Sequence, residues 1–535
     1  MKRNNFKNAT LLIKISVMSM LLMVSCDKGF EEMNINPNAY SEPDLGSLFA
    51  YSIIRRAGSG ANDVNRVNIK HLSGAMQYFS TLALNWFGEK QIINEQAGNY
   101  FEEAYRNHSH ELSIVLEDSA DDPDLVNLNA MAKIWQIFVL HRVVDGYGDV
   151  PYTEAVKASE KIYKPKYDKQ SDIYPMMLQD LEAAINQFDA SKPTIGSADI
   201  IYGGSIDKWK KFGYSFMLRL GMRLTKVDPA MAETWVKKAI AGGVIQDLAD
   251  QTMIKHQYTN SNNWNMNAAE LKRESYPEGL QGTSNIKIGK TFLDLLQAHN
   301  DPRIPFYMTL WEGNIEARQL DVIAETTKPE LQRALPPGYD PVTITEVIPD
   351  WSSNLMKEFS EPNMATMTHR AAPSTFMSLS EVEFILAEAV LRGWTTGDAE
   401  THYHNGIRAN MEYTYQYPNY DIEPMYLSKA KIDAYIAAHP LDGADFQAKM
   451  EQIHTQFYLS FFMYHDYFEA WSNWRRTGIP EIKVAPYILS STGGYPIRRL
   501  LYSVEEWSMN KENVEAAVKN QGPDNFLTRV WWDKE

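Results

Sequence analysis

Along most of this chain, apolar residues recur every three or four positions, the spacing that places them on one face of an α-helix. In the stretch 125–144 this face comprises Leu128, Met131, Ile134, Ile137, Phe138 and Val144. The same spacing predicts further helices over 171–188, 207–224 and 446–474. Helix is therefore the main element that the sequence predicts.

Capping and helix-ending residues fix several boundaries. The Gly146-Tyr147-Gly148 turn is expected to stop the first helix. Asp228-Pro229 supplies a capping side chain followed by a proline that suits the first helical position, and Gly242-Gly243 is expected to end that helix. Ser380, with Glu383 three residues later, is predicted to form a capping box at the start of another helix.

The order of these segments predicts two layers in one domain. Helices that arrive in pairs suggest a stacked array of helix hairpins, as in solenoid proteins. Residues 244–373 instead carry dense Asn, Gly and Pro with scattered aromatics, which is typical of the irregular loops that hold binding groups. We predict a mainly α fold over 46–535, with a helical layer (125–243 and 380–478) packed against a loop-rich layer (244–373 and 479–535).

The first 45 residues follow a different pattern. Four basic residues and no acidic one precede the uncharged stretch 15–25, which ends at Cys26, the only cysteine of the chain. This order is typical of a secretory signal peptide, and a helix of that stretch would span only ~16 Å of a ~30 Å membrane core. Because Met23-Val24-Ser25-Cys26 also resembles a bacterial lipobox, we predict a lipoprotein signal peptide over 1–25, lipidation of Cys26 and a flexible leader over 26–45. An ordinary signal peptide is the alternative.

Charge and composition narrow the function. The formal net charge is −16, and removing four positive charges with residues 1–25 makes it −16 − 4 = −20. Such a charge repels phosphate backbones, so we expect no nucleic-acid partner. Aromatic residues make up 12% of the chain, with 13 Trp and 29 Tyr, which favours a ligand that stacks on rings.

Catalytic and metal-binding motifs are missing or incomplete. The Gly146-Tyr147-Gly148 sequence lacks the third glycine of a dinucleotide fingerprint and follows a helix rather than a strand. The pairs His108/His110 and His402/His404 are two residues apart, which on a helix points them about 200° apart and prevents a shared metal. Neither a nucleophile elbow nor a zinc-protease motif occurs. We expect no enzyme, no cofactor and no metal.

Aromatic residues beside polar ones are the better candidates for a site. A sugar ring offers an apolar face that stacks on Trp or Tyr, while its hydroxyls bond to polar side chains. The candidate ligand-binding residues are Tyr78, Asn85, Trp86, Tyr258, Asn263 and Trp264. Trp264 is the strongest of them, because residues 260–263 are all small and polar. Trp135, Trp209 and Trp235 lie on apolar helix faces and are expected in the core.

Five motifs occur in a fixed order along the chain. They are VVDGYGDVPY at 143–152, YDKQSDIY at 167–174, DIIYGG at 199–204, FILAEA at 384–389 and WRRTGIP at 474–480. Together they resemble the SusD/RagB outer-membrane lipoproteins of Bacteroidetes. The sequence Asn34-Ile35-Asn36-Pro37-Asn38 resembles the opening of one SusD-like branch of that family.

The resemblance implies a fold, a partner and a location. The fold would hold four tetratricopeptide-like helix pairs packed against an irregular ligand-binding layer. The protein would be lipid-anchored at the surface of the outer membrane, capture an oligosaccharide, and act as the lid of a SusC-like TonB-dependent barrel. Asn85-Trp86 would occupy a place comparable to a ligand loop of the family, and Arg475 and Arg476 would supply late-helix charge or interface contacts.

Three alternatives to glycan capture stay open from the sequence. A peptide ligand is suggested by the RagB side of the family. A surface-tethered hydrolase would need a carboxylate pair, which spacing in one sequence cannot identify. A purely structural subunit of the barrel complex would bind no ligand.

Overall fold

The computed structural model describes residues 44–57, 63–82, 88–259, 263–275, 286–311, 325–418 and 427–535. Helices dominate these residues, as the apolar spacing predicts. They are α1 (Leu45–Arg56), α2 (Ser73–Ala75), α3 (Asn99–Glu103), α4 (His110–Asp118), α5 (Val126–Tyr147), α6 (Gln170–Gln187), α7 (Ile206–Arg223), α8 (Pro229–Gly242), α9 (Met266–Ser275), α10 (Lys290–Ala298), α11 (Ile304–Tyr307), α12 (Leu379–Leu391), α13 (Ala399–Glu412), α14 (Lys429–Ala437), α15 (Phe446–Tyr464), α16 (Tyr467–Thr477), α17 (Val504–Met509) and α18 (Lys511–Gln521). Two π-helical segments, Asp63–Leu72 and Ala104–His108, adjoin α2 and α3.

Short antiparallel strands hold the loop-rich part together. They are β1 (Phe79–Ser80), β2 (Thr252–Ile254), β3 (Lys287–Ile288), β4 (Met308–Trp311), β5 (Glu325–Thr326), β6 (Glu361–Pro362) and β7 (Ser374–Met377). Strand β1 pairs with β3, β2 pairs with β7, and β4 lies between β5 and β6. Because β7 runs directly into the capped start of α12, the β2–β7 pair ties the loops around β2 to the helices.

Several predicted helix ends are confirmed. The carboxylate of Asp228 accepts the Met231 amide at 3.0 Å with Pro229 in the first turn, and α8 gives way to Gly243 at φ 94°. Helix α5 ends one residue before Gly148, whose φ of 86° suits glycine. Gly146 does not end the helix but lies within its last turn, where a Cβ atom would press on Leu500 and Phe468.

Two predicted helix boundaries are wrong. The capping side chain of α12 is Ser378, which accepts the Glu381 amide at 3.1 Å, so that Ser380 lies inside the helix. Ser378/Glu381 and Ser380/Glu383 have the same spacing, so both match the capping-box pattern. Ser378 is the cap because β7 ends at Met377, directly before it. The predicted helix over 446–474 is two helices, because His465 takes a left-handed φ of 53° and Asp466 then caps α16.

Helices adjacent in the chain pack against each other in the helical layer. The pairs α5/α6, α7/α8, α12/α13 and α15/α16 are each in contact, and α6/α7, α7/α12 and α12/α15 contacts join one pair to the next. Successive helices therefore pack in pairs, while the arrangement as four tetratricopeptide-like pairs stays a prediction. Residues from Gly46 to Glu535 form one compact unit. In the described part of the chain, no helix combines the length and apolarity needed to cross a membrane.

The core of this layer is aromatic, as expected for tryptophans on apolar helix faces. Trp135 and Trp209 are fully buried, and Trp235 is 9% exposed. Trp135 packs against Phe138 at a ring separation of 5.2 Å and meets Phe376 of β7 edge-on at 5.0 Å. Since Phe376 comes from the strand that pairs with β2, aromatic packing joins the two layers.

Charged residues of the family-like motifs lie inside the core. Asp145, from the first motif, is fully buried and accepts the Trp532 indole at 3.0 Å and Arg223 at 3.2 Å. Arg475 and Arg476, from the last motif, are 1% and 2% exposed. Both arginines lie in the last turn of α16, so the expected late-helix charge is confirmed, while their burial does not fit the alternative of an interface contact.

Candidate functional site

The sequence-predicted site residues divide into three groups. Cys26, Asn85 and Trp86 lie outside the residues that the structure describes. Tyr78 lies in the core, away from any surface. Tyr258, Asn263 and Trp264 lie together at one end of α9.

Tyr78 packs in the core and is withdrawn as a candidate ligand contact. Its ring is fully buried and stacks on Tyr458 at 4.3 Å with an interplanar angle of 10°. The hydroxyl donates to the carbonyl of Tyr458 at 2.6 Å. The prediction was wrong because the ring is enclosed by Tyr458 and Phe462 of α15 and by Tyr467 of α16.

Tyr258 and Trp264 form the ends of one short loop after β2. The amide of Gln257 donates to the carbonyl of Asn263 at 3.0 Å, which closes the loop, and the Trp264 indole donates to the carbonyl of Tyr258 at 3.2 Å. The two ring centroids are 6.5 Å apart at 34°. Tyr258 is 51% exposed, Asn263 is exposed and Trp264 is half-buried. The structure therefore brings the three described candidates together at the surface.

Buried polar groups hold the base of this loop. His256 Nδ1 lies 3.2 Å from the carbonyl of Asn263 and Nε2 lies 2.8 Å from the hydroxyl of Ser374. A carbonyl only accepts, so Nδ1 donates and Nε2 accepts the Ser374 proton. Burial lowers the pKa of His256 to about 4, so the ring stays neutral near neutral pH. Asn265 donates its side-chain amide to the carbonyls of Ala372 and Pro373 at 3.1 and 3.0 Å.

Two further residues complete the cluster. The guanidinium of Arg370 lies 3.8 Å above the ring of Trp264, and the ring of His369 lies 5.7 Å from that of Tyr258 at 31°. Sequence reasoning missed both, because they follow Trp264 by more than a hundred residues. The β2–β7 pairing and the bond from the Asn265 amide to the Arg370 carbonyl at 2.7 Å bring them near. We call Tyr258, Asn263, Trp264, His369 and Arg370 the aromatic cluster.

The aromatic cluster can bind a ring and hydrogen-bond to its substituents. Tyr258 offers an exposed aromatic surface, and the amide of Asn263 lies at the same edge. Arg370 presents a planar set of donors beside the Trp264 ring. These are the groups that stack on a saccharide and bond to its oxygens. Among the residues that the structure describes, no group of three or more His, Cys, Asp or Glu side chains could hold a metal.

The described residues on either side of Asn85-Trp86 are held together by two buried charged groups. The amide of Thr81 donates to Glu89 Oε1 at 2.9 Å, and Lys90 Nζ donates to the carbonyl of Leu82 at 3.2 Å. Both Glu89 and Lys90 are fully buried. These bonds therefore hold Leu82 and Gly88, the described residues on either side of 83–87, close to each other.

Glu89→Gln is expected to remove a pH dependence from the stability of the protein. Burial, partly offset by Lys90, raises the pKa of Glu89 from 4.5 to about 7. A raised carboxyl pKa means that its stabilising contribution is fully present below pH 4.5 and is lost as the pH rises through 7. Urea unfolding between pH 4.5 and 7.5 measures this slope, and Glu515→Gln, on the exposed side of α18, is the control. An unchanged slope in Glu89→Gln would contradict the assignment.

Comparison with solved structures identifies the fold. A chitin-binding protein has a TM-score of 0.77 and 29% identity, with 92% of this chain and 100% of that chain covered. A Bacteroidetes SusD-like protein has a TM-score of 0.78 and 24% identity, covering 92% and 100% of the two chains. A chitin-binding SusD homologue from Flavobacterium johnsoniae has a TM-score of 0.72 and 20% identity, covering 92% and 99%. The fold is therefore that of SusD-like proteins.

The family follows from the sequence comparison. The model of the SusD-like family described as starch-binding and associating with the outer membrane matches residues 37–503. No curated protein sequence matches the chain. The chain belongs to this SusD-like family, which confirms the resemblance carried by the five motifs.

Proposed function

We propose that this protein captures a glycan through the aromatic cluster and delivers it to a SusC-like TonB-dependent transporter, acting as the lid of that barrel. A lipid on Cys26 and the leader over 26–45 would keep it at the surface of the outer membrane while allowing the lid to swing. The observation that carries the proposal is the exposed Tyr258 ring beside Trp264 and Arg370 on the loop-rich layer. The chitin-binding name of the 29% identical relative supports a saccharide rather than a peptide.

Trp264→Ala and Tyr258→Ala should each weaken glycan binding by ~1–3 kcal/mol, the loss expected when an aromatic anchor is removed. Isothermal titration calorimetry of the chain without residues 1–26, with chitin and starch oligosaccharides as ligands, measures this loss of affinity. Trp394→Ala and Tyr163→Ala are matched controls, since Trp394 is half-buried and Tyr163 is 75% exposed, and neither belongs to the cluster. If both cluster variants bind glycans with the affinity of the unmodified protein, the aromatic cluster is not the binding site.

The same titrations separate the alternatives. Affinity for peptides but for no saccharide would replace the glycan with a peptide ligand. Release of shortened saccharides during incubation would indicate a hydrolase, and binding without release would support capture alone. Co-purification with a SusC-like transporter tests the lid, because a lid must form a complex with its barrel.

A further inference from the structure

Five arginines in the described part of the chain stack on tryptophan rings. Arg223 lies over Trp532, Arg370 over Trp264, Arg392 over Trp394, Arg475 over both Trp471 and Trp532, and Arg498 over Trp474. Four of these arginines donate hydrogen bonds to a carboxylate or carbonyl oxygen: Arg223 and Arg475 to Asp145, Arg392 to Glu388 and Arg498 to Asp533. In these four pairs the cation is already neutralised or bonded within the fold.

Arg370 is different from the other four. Its guanidinium lies 3.8 Å above Trp264, yet none of its nitrogens donates to an oxygen of the residues that the structure describes, and Nε is buried without a partner. A guanidinium that stacks by its face keeps its donors in the plane of the group, directed away from the ring. The hydrogen-bond donors of Arg370 can therefore bond to an acceptor that the described residues do not provide.

Helix α9, which begins two residues after Trp264, carries charged side chains of both signs. Burial lowers the pKa of His369, and the positive charge of nearby Lys272 lowers it further. The nearby carboxylates of α9 are already engaged, because Glu270 bonds to Asn65 and Arg273, and Glu274 pairs with Lys70 at 3.0 Å. Glu270 and Glu274 are therefore held by Asn65, Lys70 and Arg273 rather than by Arg370.

We propose that the glycan bound at the aromatic cluster carries an anionic group, a carboxylate or a sulfate, which Arg370 binds while the sugar ring lies against Tyr258. This inference rests on the proposed glycan capture and specifies its ligand. A planar guanidinium matches a carboxylate or a sulfate with two parallel hydrogen bonds, which a single hydroxyl cannot accept. The neutral ring of His369 and the amide of Asn263 would bond to neighbouring hydroxyls.

The test compares anionic and neutral saccharides on the same protein. The probes are trigalacturonate for the carboxylate, a chondroitin sulfate tetrasaccharide for the sulfate, and chitotriose as the neutral saccharide. We expect at least one anionic probe to bind about tenfold more tightly than chitotriose, with an affinity that falls as the salt concentration rises from 50 to 500 mM. The two anionic probes distinguish the carboxylate from the sulfate.

Arg370→Gln should abolish the preference for the anionic probe and its salt dependence, so that the anionic probe binds no more tightly than chitotriose. Arg370→Lys keeps the charge but loses the paired hydrogen bonds, so an intermediate affinity is expected. Arg392→Gln is the matched control, since Arg392 also stacks on a tryptophan but donates to Glu388, and it should leave all affinities unchanged. Circular dichroism and thermal unfolding verify that each variant is folded.

The outcomes separate this inference from the proposed function. Equal affinity for neutral and anionic probes, or binding of chitotriose alone, would overturn the anionic ligand and leave glycan capture standing. An equal loss for all probes in Arg370→Gln would mean that Arg370 only supports Trp264, which also overturns it. Failure of every saccharide to bind would overturn both proposals.

Discussion

Glu388→Ala is expected to lower the free energy of unfolding by ~3–5 kcal/mol, because it leaves a buried arginine without its partner. Glu388 is fully buried and accepts two hydrogen bonds from Arg476, both at 2.7 Å. Arg392 and His454 donate to it as well, at 2.8 and 2.9 Å. Burial alone would raise the pKa of Glu388, but the charge of Arg476 and the bond from His454 hold it well below its ordinary value.

Urea unfolding followed by circular dichroism measures the loss. Glu515→Ala is the control, since Glu515 forms an exposed pair with Lys511 at 3.6 Å, and such surface pairs contribute ~0–1 kcal/mol. Glu388→Gln should be nearly as destabilising as Glu388→Ala, because it keeps the shape but removes the charge that Arg476 needs. If Glu388→Ala unfolds with the stability of the control, Arg476 has found another partner, and the pair does not hold the helical layer together.

The periodic part of this fold is visible in the sequence, while its charged core is not. Apolar spacing locates the helices, and Asp228-Pro229 fixes the start of α8, because both signals lie within a few residues. Glu388 and Arg476 are 88 residues apart, and Asp145 meets Trp532 across 387 residues. Nothing local distinguishes a carboxylate that will be buried with an arginine from one that will face water. The position of the α12 cap likewise depended on where β7 ends.

The candidate site also has one part that the sequence indicates and one part that depends on tertiary contacts. Tyr258 and Trp264 are close in sequence, so the sequence alone could indicate that the two rings lie near each other. Arg370 reaches Trp264 through tertiary contacts, which are the pairing of β2 with β7 and the bond from the Asn265 amide to the Arg370 carbonyl at 2.7 Å. Tyr78 shows the opposite error: its aromatic ring suggested a ligand, and the partner that buries it, Tyr458, is 380 residues away. Residue type therefore suggests chemistry, but exposure decides whether an aromatic side chain can meet a ligand.

Arg475→Ala is expected to destabilise the fold by an amount similar to Glu388→Ala, for a different reason. The guanidinium lies between Trp471 at 3.4 Å and Trp532 at 4.6 Å, and donates to the carbonyls of Asp145 and Arg498 at 2.7 and 3.0 Å. Burial lowers its pKa from 12.5 to about 9, which reflects how little water reaches it. Losing the desolvated cation–π contacts and the charged hydrogen bonds should together cost ~3–5 kcal/mol.

Arg475→Met distinguishes this site from the Glu388 pair. No carboxylate of the described residues bonds directly to Arg475, so replacing it leaves no buried carboxylate that has lost its direct partner. Methionine would fill the space between Trp471 and Trp532 and contact both rings, recovering ~1–2 kcal/mol relative to alanine. Urea unfolding of the two variants measures the difference. Equal losses in the two would mean that the hydrogen bonds to the Asp145 and Arg498 carbonyls, rather than the packing between the tryptophans, make this arginine indispensable to the core.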